Sequence, residues 1–380
     1  MKPFLNIAIM FFNQKSSLAG WIFFVFFFPV ILHAQDTLTG SLQGQNLSSK
    51  IHISGLFYLA GQYKTSGNSE NFSFLVRRAY MTVQGQLTKN LLARYTQDIT
   101  IDDEGDDAGN IELRIKYLYL QYRIPNFWVF RKSHFKFGIV QRPWLDFEEH
   151  INAYRVQGTM FMERSGLFNS AGFGLSFESL LGGTLPEKYL QTVHPHSPGR
   201  YGSFAIGLYN GGGYHRFERN LNKNVEMRFT FRPFPEMITG LQFSYLGIFG
   251  TGNIPENPAF NLHAGIVTFE SREITLTAQY ESGRGNSYGS FVDSTFKALP
   301  QKGYSFYGEV KIPKTPISVY ARYDHFLLKK ENNWQKTIRY ICGAGWRFFK
   351  QNKLVFSYQR SQLFGKIKRD VFDLALDVSF

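Results

Sequence analysis

Charged side chains in this 380-residue chain recur at every second position within many apolar segments. Arg78, Arg94, Arg114, Lys116, Lys136, Arg142, Arg228, Arg232, Lys311, Arg322, Arg339 and Arg347 have this spacing. So do Asp98, Glu112, Glu178, Glu226, Glu273, Glu281, Glu309, Asp324, Asp373 and Asp377. A strand sends alternate residues to opposite faces, so these charges share a wet face and their neighbours a greasy one. Charges of both signs on one wetted wall suit the sorting of ions and solutes rather than bond breaking. The bases outnumber the acids only slightly. A weak anion track and a salt-bridged wall without preference are therefore the two readings of the lining.

A second charged group lies in one connection, 143–170. Asp146, Glu148, Glu149, His150, Arg155, Glu163 and Arg164 all fall there. Facing charges of both signs at a constriction set up a transverse field. The segment is therefore expected to narrow a channel, with Glu163 and Arg164 bracing it against the wall. The plainer alternative is a cap on the outer mouth.

Three further clusters carry less chemistry. Asp102, Asp103, Glu104, Asp106 and Asp107 read as a solvated acidic loop, since Gly105 comes too early for a calcium-binding loop. His194 and His196 flank Pro195, with His215 further on. They lack a third ligand, so a plain turn is expected and no metal site. His263 is read as inward, near Ser244 and Thr275 on neighbouring strands. That is too weak a constellation for a nucleophile and its base, so no catalytic residue and no cofactor are expected. The only cysteine, Cys342, excludes an intramolecular disulfide.

The elements that must position these residues are strands. Phe372, Leu374, Leu376, Val378 and Phe380 alternate with Asp373, Asp377 and Ser379, and Val225–Phe231 and Ile338–Phe348 repeat the pattern. Sixteen such runs are read, from 50–63 to 370–380, with short and long connections in turn. Their length approaches the 9–11 residues of a tilted bilayer crossing, and an even count suits a closed barrel. Tyr117, Tyr119, Tyr122, Trp128, Trp346 and Tyr358 are expected in aromatic girdles. The fold class is thus all-β, a transmembrane antiparallel β-barrel. One stretch, 182–200, is long where a short turn is due, and implies a hidden hairpin or a slipped register.

Residues 1–34 hold an apolar run, Leu18 to Leu32, before Ala34, and read as a cleaved signal peptide. Residues 35–49 follow as a short periplasmic segment and 50–380 as the barrel. Lys and Arg number 42 against 29 Asp and Glu, a formal net charge of +13. Export makes nucleic acid an unsuitable partner for that charge. A terminal aromatic on the greasy face, Phe380, reads as a signal for the barrel-assembly machinery of the bacterial outer membrane.

Arg77-Arg78-Ala79, followed by Val83, Gly85 and Leu87, resembles an early strand of the phosphate-selective porin family (porins O and P). Phe137 to Trp144 (FGIVQRPW) resembles that family's glycine-to-proline strand exit, and Phe161 to Ser165 (FMERS) its acidic-Arg-Ser motif. The three occur in order across roughly residues 72–181. The resemblance implies a sixteen-stranded porin, a homotrimer, with its third loop folded into the channel and a preference for anions. With the lining nearly balanced in charge, the expected function is passive diffusion of small anionic or neutral solutes across outer-membrane lipid. Phosphate is a narrower option. A barrel enzyme, or an adhesin or structural barrel with a plugged lumen, is the alternative.

Overall fold

The computed structural model describes residues 51–101, 109–193, 195–331, 333–364 and 367–380. The proposed signal peptide, the 35–49 segment, the acidic cluster at 102–107 and His194 lie outside them. Sixteen strands follow in order: β1 (Ile51–Ser66), β2 (Ser69–Gln86), β3 (Leu91–Ile101), β4 (Ile111–Arg123), β5 (Phe130–Gln141), β6 (Ala171–Leu181), β7 (Gly202–Tyr209) and β8 (Asn224–Phe231). Then come β9 (Leu241–Thr251), β10 (Ala259–Glu270), β11 (Ile274–Arg284), β12 (Pro300–Lys311), β13 (Ile317–Lys330), β14 (Asn333–Phe349), β15 (Asn352–Leu363) and β16 (Ile367–Ser379). Each pairs antiparallel with its neighbours in sequence, and β16 pairs with β1 to close the barrel. The closing ladder runs to the last residue, where Gly55 and Phe380 exchange two backbone hydrogen bonds of 3.1 Å.

Period-two patterning explains both faces. On β16, Val371, Asp373, Ala375 and Asp377 are buried inward, while Phe372, Leu374 and Leu376 are exposed on the outside. An outward apolar face with no protein partner is what a bilayer solvates.

Four register shifts interrupt the ladders, and two of them, in β2 and β4, re-aim side chains of the basic wall. Tyr58 pairs with Arg78 and Leu59 with Val76, leaving Arg77 as the extra residue. Thr96 pairs with Tyr117 and Gln97 with Ile115, leaving Lys116 extra. A bulge sends two consecutive side chains toward one face. Arg77 and Arg78 therefore both point inward, and so do Lys116 and Tyr117. The second bulge corrects the girdle expectation. Tyr119 is buried with Val140 and Tyr209, and Tyr117 packs against that group. Tyr122, Trp128 and Trp346 are exposed on the outer surface.

The 182–200 stretch is neither a hairpin of strands nor a register slip. It folds as a short helix, Glu187–Val193, pinched off by one bridge between Thr184 and Gly199.

The β5–β6 connection turns back into the barrel. It forms α1 (Pro143–Ile151), a 3-10 turn (Arg155–Gln157) and α2 (Phe161–Arg164). Pro143 starts α1, where its missing N–H costs nothing, and Asp146 lies in the first turn, favourable to the helix dipole. Trp144, Leu145, Phe147, Met160, Phe161 and Met162 pack on an apolar patch of inner wall: Leu246 and Ile248 of β9, Phe260 to Ile266 of β10, Phe326 and Leu328 of β13. Fully burying each such side chain contributes about 1.5–3 kcal/mol. Tyr154 and Val156 reach the wall between β12 and β1, where Tyr154 stacks on Tyr320 at 3.7 Å between ring centroids. The loop thus lies across the lumen.

Candidate functional site

The free edge of the loop is acidic. Arg155 bridges two of its carboxylates, with Nε 2.8 Å from Glu149 and Nη2 3.1 Å from Glu163. Burial opposes charge on Glu163, but Arg155, Arg78 and Lys116 outweigh it and hold the carboxyl below its usual range. Burial likewise opposes charge on Asp146, and His196, His150 and Lys136 hold that carboxyl well below its usual range. Asp146 and Glu163 are therefore anionic at neutral pH.

Facing this edge are bases from four adjacent strands. Arg78 of β2 donates to Tyr80, and Arg94 of β3 lies 4.9 Å from the Tyr117 ring. Lys116 of β4 bonds Ser170, and Lys136 of β5 pairs with Glu178 at 2.8 Å. Arg114 sits 3.7 Å from Asp98 and 3.5 Å from Glu112. An acidic edge set against a basic wall gives a transverse field, with Lys116, Lys136 and Arg155 themselves buried.

The other bases of the expected track serve different ends. Arg142 is buried in an ion pair with Glu226 at 2.7 Å, under Tyr209. Arg228 donates to the Pro143 carbonyl at 3.1 Å and to Ser203 and Thr230. Arg232 is fully buried and bonds the Gly199 carbonyl. Arg322 grips Asp324 with two hydrogen bonds and donates to the Thr159 carbonyl at 3.0 Å. Arg339 reaches the Arg164 carbonyl at 3.3 Å. Inward they are, but the space inside them is occupied by the loop and the β6–β7 turn. Lys311 and Arg347 remain beside open volume, in a lower cavity of about 640 Å³ shared with Glu270, Glu273, Glu309 and His150.

The expected bracing divides. Arg164 does reach the wall, donating to Gln359 Oε1 of β15 at 2.8 Å. Burial, with Arg322 and Arg339 close by, pushes its guanidinium down to about 9. Glu163 instead ties the loop to itself through Arg155. Gly158, at a φ of +152°, makes room for Arg164: a Cβ there would overlap its Nη2. Glu148 points away from the free edge, into the packed side, where it accepts from Trp144 Nε1 at 2.9 Å and Gln279 Nε2 at 2.8 Å. Burial is the main cause pushing its carboxyl up to about 7.

Sequence reading missed Arg77. Its guanidinium donates to the Val156 and Gln157 carbonyls at 3.1 and 2.8 Å and pairs with Asp373, clamping the loop. The consecutive Arg77-Arg78 was the available signal, since only a bulge puts both inside. An upper cavity of about 380 Å³ lies here, with Lys64, Arg77, Arg78, Arg155, Arg164 and Arg369 around a single acid, Asp373. His263 is corrected: it faces outward and hydrogen-bonds Tyr245 at 2.7 Å, because its neighbours Leu262 and Ala264 are the inward pair. Ser244 lies on the other face of the sheet, so no lumenal His–Ser pair forms. His196 is more than a turn residue. Among the described residues it joins Asp146 and His150 as one cluster of metal-ligating types.

No protein-family model and no curated protein matches the chain. Solved structures do. OmpF of Salmonella typhi, in complex with daunomycin, aligns at 11% identity with a TM-score of 0.58 over 86% of this chain and 97% of its own. OprB of Pseudomonas putida aligns at 9% and 0.56 over 88% and 95%. OmpT, an outer membrane protein of Vibrio cholerae in a trimer form, aligns at 9% and 0.51 over 87% and 100%. At such identity the likeness is one of fold, and the fold is that of bacterial outer-membrane barrels.

Proposed function

We propose that the chain is a passive outer-membrane channel for small hydrophilic solutes and ions, with a mild preference for anions. The observation that carries this reading is the charged cleft between the loop edge (Asp146, Glu149, Glu163) and the basic wall (Arg78, Arg94, Lys116, Lys136). Solutes cross by diffusion, so no cofactor or energy source enters. The six bases around Asp373 in the upper cavity support the anion preference, by concentrating anions at the mouth before the cleft. Phosphate is the narrower candidate, supported by the likeness of the Arg77–Ala79, Phe137–Trp144 and Phe161–Ser165 stretches to porins O and P. A homotrimer in outer-membrane lipid, delivered through recognition of the last strand and Phe380, completes the proposal.

Swelling of liposomes carrying the folded protein tests it. Small neutral sugars and monovalent organic anions of equal size are expected to enter, the anions somewhat faster. Vesicles that stay osmotically tight to both would sink the channel reading.

A further inference from the structure

The β5–β6 loop and the β6–β7 turn leave opposite ends of the barrel, because they flank a single strand, β6. They nonetheless meet. His196 of the turn places Nε2 3.1 Å from Asp146 Oδ2 of α1. His150, one helical turn after Asp146, stacks on the His196 ring with centroids 3.5 Å apart and planes 10° from parallel. His150 Nδ1 bonds the Asp146 carbonyl, which leaves its Nε2 free. One donor atom from each of the three residues lies within 4.8 Å of the others.

We propose that Asp146, His150 and His196 bind one divalent transition-metal ion of the zinc class, clasping the constriction loop to the β6–β7 turn. Two imidazoles and a carboxylate, with water in the fourth place, are a tetrahedral zinc donor set. Bonds of about 2.0–2.2 Å set tetrahedral donors ~3.4 Å apart, so the three atoms converge by at most about 1.4 Å. The Asp146 carbonyl already holds the His150 ring through its other nitrogen, as hydrogen-bond partners behind metal-binding histidines do. Mixed nitrogen and oxygen ligands favour zinc, nickel or copper over magnesium or calcium, which take oxygen. Lys136 and Arg228 are close enough to act on Asp146, and Lys136 is itself paired with Glu178 at 2.8 Å. Asp146 is shared with the charged cleft, but binding of an ion by these three side chains does not require that the barrel conduct, so the titration below can fail or succeed independently of the channel reading.

The test uses the folded, tag-free mature chain in detergent, stripped with EDTA and titrated with Zn²⁺ by calorimetry. One ion per chain is expected. H150Q and H196Q are each expected to weaken binding at least tenfold, and H263Q, on the outer face, to leave it unchanged. Folding of every variant is checked by the heat-dependent shift in gel mobility. Absence of saturable binding near one ion per chain overturns the proposal, and so does binding by H196Q equal to that of the parent. Zn²⁺ is also expected to protect the β6–β7 turn from proteolysis in the parent but not in H196Q. Equal protection in both would count against the clasp.

Discussion

Replacing Arg155 with Gln removes the one cation on the acidic edge of the loop and frees Glu149 and Glu163, now 2.8 and 3.1 Å from it. An ion passing ~6 Å from the guanidinium interacts with it by roughly 0.7 kcal/mol at the dielectric constant of water. A Debye length of about 10 Å at 0.1 M salt reduces this to ~0.4 kcal/mol. Cations and anions move in opposite senses, so the permeability ratio changes by about 0.8 kcal/mol, roughly fourfold toward cations. The pH dependence has a definite sign. Glu163 is held below its usual range partly by Arg155, so R155Q raises it. The shift is therefore full at pH 7 and shrinks as the medium is acidified through the ordinary carboxylate range. Reversal potentials across a planar bilayer under a KCl gradient, at pH 7 and pH 4, measure both effects. A folded R155Q channel with the parental permeability ratio at pH 7 would refute the placement of Arg155 at the conducting edge.

Three further outcomes are expected. R142M leaves Glu226 buried without its partner; it should cost about 3–5 kcal/mol, with R142M/E226L recovering most of that, as read from urea midpoints in lipid vesicles. G158A should push the Arg164 guanidinium off Gln359 and give a larger, noisier single-channel current, because the new Cβ occupies the space of Nη2. Glu148 is pushed up to about 7 from 4.5. A carboxyl raised in the folded state binds more protons there, so stability falls as pH rises from about 4.5 to 7, by up to about 3 kcal/mol. E148Q should remove that part of the slope, and an unchanged slope in the variant would count against the burial of this carboxyl.

Much of the fold was legible because strand patterning has a period of two. All sixteen strands lie where alternation placed them, including the last, where Phe372, Leu374 and Leu376 face out against Asp373 and Asp377. Parity has no memory beyond a bulge, however. The extra residues Arg77 and Lys116 re-aim their neighbours, which is why Tyr117 and Tyr119 line the lumen and not a girdle. Alternation also reports a face, not the space beyond it. Arg142, Arg228 and Arg232 point inward as expected and are nonetheless buried, because the loop and the turn fill that side. A hint lay in β10, where Phe260, Leu262, Ala264 and Ile266 make the inner face apolar; an apolar inner face calls for a cover other than water. Contacts such as His196 with Asp146 join segments 50 residues apart and leave no periodic trace.

The most direct test of the charged cleft as a conducting path is the reversal potential of the parent protein, folded and inserted in a planar bilayer, under a KCl gradient. The account predicts stable, discrete conductance steps and a potential displaced modestly toward that of chloride. Folded protein that inserts without conducting, or that conducts with a cation-selective potential, would contradict it.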